Sequence, residues 1–110
     1  MALTEAQLEA TIKQSASGLG FLCYHTRYSP GSDPGFPDLC ITGPLDYPTF
    51  TGFYEVKGPR GVVSAKQQQW IDTLGAAGQI ARIVWEADLG TVMDDLEAAF
   101  RASLDLRQRS

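Results

Sequence analysis

Pro37-Asp38-Leu39-Cys40-Ile41-Thr42 and, a short turn later, Phe50-Thr51-Gly52-Phe53-Tyr54-Glu55-Val56-Lys57-Gly58-Pro59 are the two stretches that decide this fold. Each is a run of β-branched, aromatic and aliphatic residues bounded by turn formers, as expected of strands. Gly43-Pro44 closes the first, and Gly58-Pro59-Arg60-Gly61 stops the second. The short connection between them predicts antiparallel pairing. Upstream, Phe21 to Thr26 reads as another strand, set apart by turn formers from Ser29 to Gly35. Before it, Thr4 and Gln7 make a capping box for a first helix, with Leu3 and Leu8 as a hydrophobic staple and Leu8, Ile12 and Ala16 on one face. Downstream, Ser64 and Gln67 cap a second helix carrying Trp70, Ile71 and Leu74, and Gly78 ends it. Ile80 to Trp85 is a fourth strand, reached across that helix and so expected parallel to its neighbour. Asp88 opens a last helix with Leu89, Val92, Leu96 and Phe100 inward. The order is αβββαβα: an α/β fold with one mixed central sheet flanked by helices, in a single domain over residues 1–110.

Composition sets outer bounds on function. At 44% apolar and 20% charged residues, the 110-residue chain has an ordinary globular balance. No segment resembles a membrane span, and Met1-Ala2-Leu3 runs straight into Thr4 and Glu5 without signal-peptide order, so a cytoplasmic location is expected. Cys23 and Cys40 have neither CxxC spacing nor a zinc-spaced histidine and are expected to be buried free thiols. The net charge of −4 argues mildly against a nucleic-acid partner, but Arg27, Lys57, Arg60 and Lys66 concentrate positive charge mid-chain while the acids crowd the last helix.

Chemistry points to the same two strands. Alternation puts Glu55 and Lys57 on one face with Val56 turned to the other. Asp38 opens the neighbouring strand, with sixteen residues between it and Glu55, where pairing can bring the two carboxylates together. Adjacent carboxylates repel unless a cation lies between them, and a hard divalent ion with oxygen ligands, Mg²⁺ or Mn²⁺, suits the pair. Lys57 can then reach a water or a phosphate oxygen, which makes phosphodiester hydrolysis the reaction class. A Glu-x-Lys pair alone is commonly a solvated strand face and a Pro-Asp pair a turn; their joint placement carries the reading.

Pro37-Asp38 with Glu55-Val56-Lys57 resembles the PD-(D/E)xK nuclease pattern. His25-Thr26-Arg27, Gly35-Phe36-Pro37-Asp38-Leu39, Glu55-Val56-Lys57-Gly58-Pro59 and Ser64-x-x-Gln67-x-x-Trp70 are similar to the VRR-NUC (virus-type replication-repair nuclease) branch, from the first helix to the strand near Trp85. The resemblance implies a restriction-endonuclease-like core. It implies metal ligation by Asp38, Glu55 and the carbonyl of Val56, with Lys57 orienting or activating water. It implies, too, an acid on the first helix and a glutamine on the helix after the third strand. For the acid, Glu5 falls within the arc of Leu8, Ile12 and Ala16 at about 100° per residue, with Glu9 just outside, so Glu5 is expected. For the glutamine, Gln67 shares a face with Trp70, Ile71 and Leu74, whereas Gln68 and Gln69 turn away. His25, Arg27, Arg60 and Lys66 are candidates for substrate phosphate contacts.

The implied function is a metal-dependent DNA endonuclease with a preference for branched DNA such as a Holliday junction. Its setting would be phage or mobile-element replication, repair or recombination. A two-fold junction would favour a homodimer, and a helicase or replication protein is a conceivable partner. The rivals are a non-catalytic nucleic-acid-binding module on the same fold and a protein-binding adaptor using the acidic last helix.

Overall fold

A computed structural model describes residues 2–26, 31 and 33–110. The chain runs α1 (Glu5–Gly18), β1 (Leu22–His25), β2 (Leu39–Gly43), β3 (Phe50–Val56), α2 (Ala65–Ala76), β4 (Ile80–Val84) and α3 (Leu89–Arg109), with a 3-10 turn at Glu86–Asp88 before the last helix. Both expected capping boxes form: Thr4 and Gln7 exchange bonds at the start of α1, and Ser64 and Gln67 do so at α2. Each satisfies two of the backbone groups that a helix start leaves without partners. Asp88 behaves differently from expectation. Its carboxylate accepts from the Trp85 amide at 3.0 Å and closes the 3-10 turn, so α3 starts without a side-chain cap.

The four strands lie in the order β1-β2-β3-β4. β1–β2 and β2–β3 are antiparallel, and β3–β4 is parallel across the α2 crossover, which makes the sheet mixed. Register assigns the faces. Leu39 stands opposite both His25 and Tyr54. The Tyr54 hydroxyl donates to Asp95 of α3 at 2.8 Å, and His25 meets Glu9 of α1, so α1 and α3 cover that face. Glu55 points the other way, toward α2.

Leu8, Ile12, Ala16, Leu39, Ile41, Tyr54, Val56, Val84, Val92 and Leu96 fill the α1–α3 side and have no exposed surface. Tyr54 is the largest of them, and burial with its bond to Asp95 drives its hydroxyl pKa up. Asp95 also takes a two-toothed contact from Arg82 Nε and Nη2 at 2.7 and 2.8 Å, tying β3, β4 and α3 together through polar groups that satisfy one another. Cys23 and Cys40 are free, as expected, but half-buried rather than buried.

Candidate functional site

The site grows from the ends of β2 and β3. Thr26 donates its amide to the Asp38 carbonyl at 2.7 Å, extending the β1–β2 ladder to Asp38. Across from it, the β2–β3 register begins at Leu39 with Tyr54, and the Val56 amide bonds instead to Asp38 Oδ2 at 2.9 Å. The Asp38 carboxylate thereby replaces a backbone partner and is locked beside β3. On the far side, the Lys57 amide donates to the Val84 carbonyl at 2.8 Å, carrying the parallel ladder one residue past β3. Glu55 and Lys57 therefore sit at backbone positions held from both neighbouring strands.

Glu55 is 2% exposed and Lys57 is 7% exposed. Burying ions this deeply is costly without partners. Gln67 supplies them. Its Oε1 accepts from Lys57 Nζ at 2.8 Å and from the Ser64 amide at 2.9 Å, and its Nε2 donates to Glu55 Oε2 at 2.9 Å. Lys57 Nζ also lies 3.4 Å from Glu55 Oε2. One amide is thus helix cap and bridge between the paired charges at the same time. Two donors meet its oxygen and a carboxylate meets its nitrogen, which fixes how the amide is turned.

The carboxyl of Glu55 is pushed up to about 7, first by burial and then by the negative charge of Asp38, with Lys57 pulling the other way. Among the described residues, Glu55 Oε1 is buried without a hydrogen-bond partner. A buried acid with one orphaned oxygen beside a second carboxylate is a site short of positive charge, and a divalent cation with oxygen ligands fits it. The donor set is thin: among the described residues no group of three or more His, Cys, Asp and Glu side chains is gathered as for a metal. Two carboxylates suit an ion such as Mg²⁺, which usually keeps several waters.

Of the two acids on α1, Glu9 is the buried one and Glu5, the one expected, is exposed. Glu9 is 8% exposed and its Oε2 pairs with His25 Nε2 at 3.0 Å. Burial raises the Glu9 pKa most, the nearby His25 opposes that rise, and Asp38 adds to it. A helical wheel collapses axial position, which separates the two acids. Glu5 lies about 6 Å nearer the N-terminal end of the helix than Glu9, where Thr4 and Glu5 line an open recess with Gly58, Pro59, Arg60 and Gly61. The signal for Glu9 was the histidine itself, on a strand packed under α1 and in need of a partner.

The other expected residues separate. His25 is turned to Glu9. Arg60 is exposed on the turn after β3, and Lys66 is exposed on α2 next to Gln67. Arg27 lies outside the described residues. Two glycines keep the frame tight. Gly35, at φ +90°, brings the segment before Asp38 against α2, where an added Cβ would meet the Lys66 carbonyl carbon at 2.7 Å. At Gly61 a Cβ would stand 3.0 Å from Lys57 Cδ, so the absence of a side chain there leaves room for the lysine stem.

A mixed sheet of three antiparallel strands and one parallel one, with an acid opening the second strand and Glu-x-Lys ending the third, defines a restriction-endonuclease-like core of the PD-(D/E)xK class. A model of the VRR-NUC domain matches residues 2–84 of this chain, and the chain belongs to that nuclease family. A solved structure described as a VRR_NUC domain protein superposes with a TM-score of 0.62 at 16% identity, over 88% of this chain and 91% of the other, and shares the fold. No curated protein sequence matches.

Proposed function

We propose that this chain is a divalent-metal-dependent endonuclease that hydrolyses phosphodiester bonds in DNA, with branched DNA as its preferred substrate. The observation that carries the reading is Glu55: buried, with one oxygen unpartnered, raised to about 7 and placed between Asp38 and Lys57. A strand residue with only a structural role would gain by being apolar there.

Asp38, Glu55 and the Val56 carbonyl would hold Mg²⁺ or Mn²⁺. When bound, such an ion polarises a phosphate oxygen and lowers the pKa of a coordinated water. Lys57 has three ammonium donors, of which Gln67 and Glu55 engage two. The third is free to orient the attacking water or to steady the charge that develops on the phosphate. Gln67 keeps that ammonium from swinging away. The Glu9–His25 pair borders Asp38 and would set the orientation of groups entering from the α1 side. Arg60 and Lys66 flank the site as phosphate contacts, which position a strand without reading its sequence. A homodimer would match a four-way junction by presenting two sites in two-fold relation.

The test is cleavage of labelled linear duplex, single strand, flap and four-way junction, with Mn²⁺ or EDTA, by wild type and Lys57→Ala. Metal-dependent cutting of the branched substrates that the substitution abolishes is expected. Cutting that persists in EDTA, or in Lys57→Ala, refutes the mechanism. Equal rates on linear and branched DNA refute the structure preference.

A further inference from the structure

Beside Gln67, one stripe of α2 borders a cavity of about 370 Å³. Lys66, Gln69, Trp70 and Thr73 recur at i, i+3, i+4 and i+7 and form one wall, and among the described residues Asp33 and Pro34 line the cavity too. Both walls are continuous in sequence with the proposed catalytic centre. Lys66 precedes Gln67, and the segment from Pro34 runs through Gly35 and Phe36 to Asp38. Phe36 meets Trp70 edge to face at 5.0 Å between ring centroids and Phe53 of β3 at 6.1 Å, so the indole is braced against the strand that carries Glu55.

The lining decides what fits. Among the described lining residues one lysine and one aspartate balance, which suits an uncharged base next to a phosphate met by Lys66. An indole offers a stacking surface, while an amide, a hydroxyl and a carboxylate can meet the donors and acceptors on a heteroaromatic edge. The volume is at the small end of ligand-sized cavities, about 300–1,000 Å³, a size that suits a single nucleoside. We propose that this cavity takes one unpaired nucleobase of the DNA strand being cut, the base flanking the phosphate held at Glu55 and Lys57. The inference rests on the nuclease reading above and gives its substrate preference a physical source. A paired base keeps its edge and faces inside the duplex, whereas strands at a branch or overhang release bases that an aromatic platform can hold.

The experiment is an abasic walk in EDTA, so that binding is read without cutting. A labelled duplex with a single-stranded overhang is made as a series, each member lacking one base at a different position. Affinities are measured for wild type, Trp70→Ala and Thr73→Trp. The last fills the cavity while leaving the Phe36–Trp70 contact in place. Loss of one particular base should weaken wild-type binding by roughly 5- to 100-fold, the range found for a stacked base. Both variants should bind the intact overhang more weakly by a similar factor and become insensitive to that base, with blunt duplex bound equally by all three. A flat walk in wild type overturns the proposal, as does a base effect that survives in Thr73→Trp. Absence of cutting by wild type in Mn²⁺ would instead refute the catalytic reading, and the walk reports base capture regardless of it.

Discussion

Replacing Glu55 with glutamine should change how the stability of the metal-free protein depends on pH. In the folded chain Glu55 keeps its proton until about pH 7, against an ordinary value of 4.5, because burial and the charge of Asp38 oppose ionisation. Between those two values the folded state binds a proton that the unfolded state has already released. Stability from this group is therefore fully present below about pH 4.5, falls as pH rises through the window, and is flat above about 7. At 1.36 kcal/mol per pKa unit, the fall attributable to Glu55 is of order 3 kcal/mol. Glu55→Gln removes the titration and keeps the shape. Its amide oxygen can accept from Gln67 Nε2, and its NH₂ can turn toward the position of the orphaned Oε1. Relative to wild type the variant should thus gain about 2–3 kcal/mol between pH 5 and pH 8, whatever the constant offset from weakening the contact with Lys57. Urea unfolding in EDTA across that range measures the double difference. Adding Mn²⁺, which binds the ionised carboxyl, should shrink the wild-type fall between about pH 4.5 and pH 7 and leave the variant unmoved. A wild-type-minus-variant difference that is constant with pH would refute the assignment of Glu55 as the strained acid.

Other substitutions separate holding from chemistry. Gln67→Ala should slow cleavage by about 10- to 100-fold, as loss of a side chain orienting functional groups does, and lower stability by about 1 kcal/mol through the lost cap. Ser64→Ala should cost a similar stability with a far smaller effect on single-turnover cutting, because Lys57 and Glu55 still hold Gln67. Glu9→Gln should reduce cleavage at least about 10-fold if the buried acid beside Asp38 serves the reaction, while Glu5→Gln, on the exposed first turn, should leave the rate within about twofold. Gly35→Ala should destabilise the fold by about 2 kcal/mol or more, because its Cβ would enter the backbone of α2 at a φ that L-residues avoid; thermal unfolding reads this directly.

Most of the architecture was present in short-range pattern. Period-two alternation, turn residues at fixed places and two capping boxes determined the strands, the helices and their order, since each depends on neighbours a few residues apart. The juxtaposition of Asp38 with Glu55 was legible for the same reason: a short connection allows little but antiparallel pairing. Gln67 could be selected from three consecutive glutamines because helical rotation alone separates them. What the residues could not disclose is how far along its axis α1 sits on the sheet, and that sliding coordinate, set by packing of Leu8, Ile12 and Ala16 against Leu39, Tyr54 and Val56, brings Glu9 and not Glu5 to His25. Nor could local pattern show that one amide would join the cap of α2 to both buried charges, or that Gly35 and Phe36 would hold the entry to Asp38 against α2 and leave a cavity at Trp70. Those are distances between segments remote in sequence, and only close packing of the whole chain decides them.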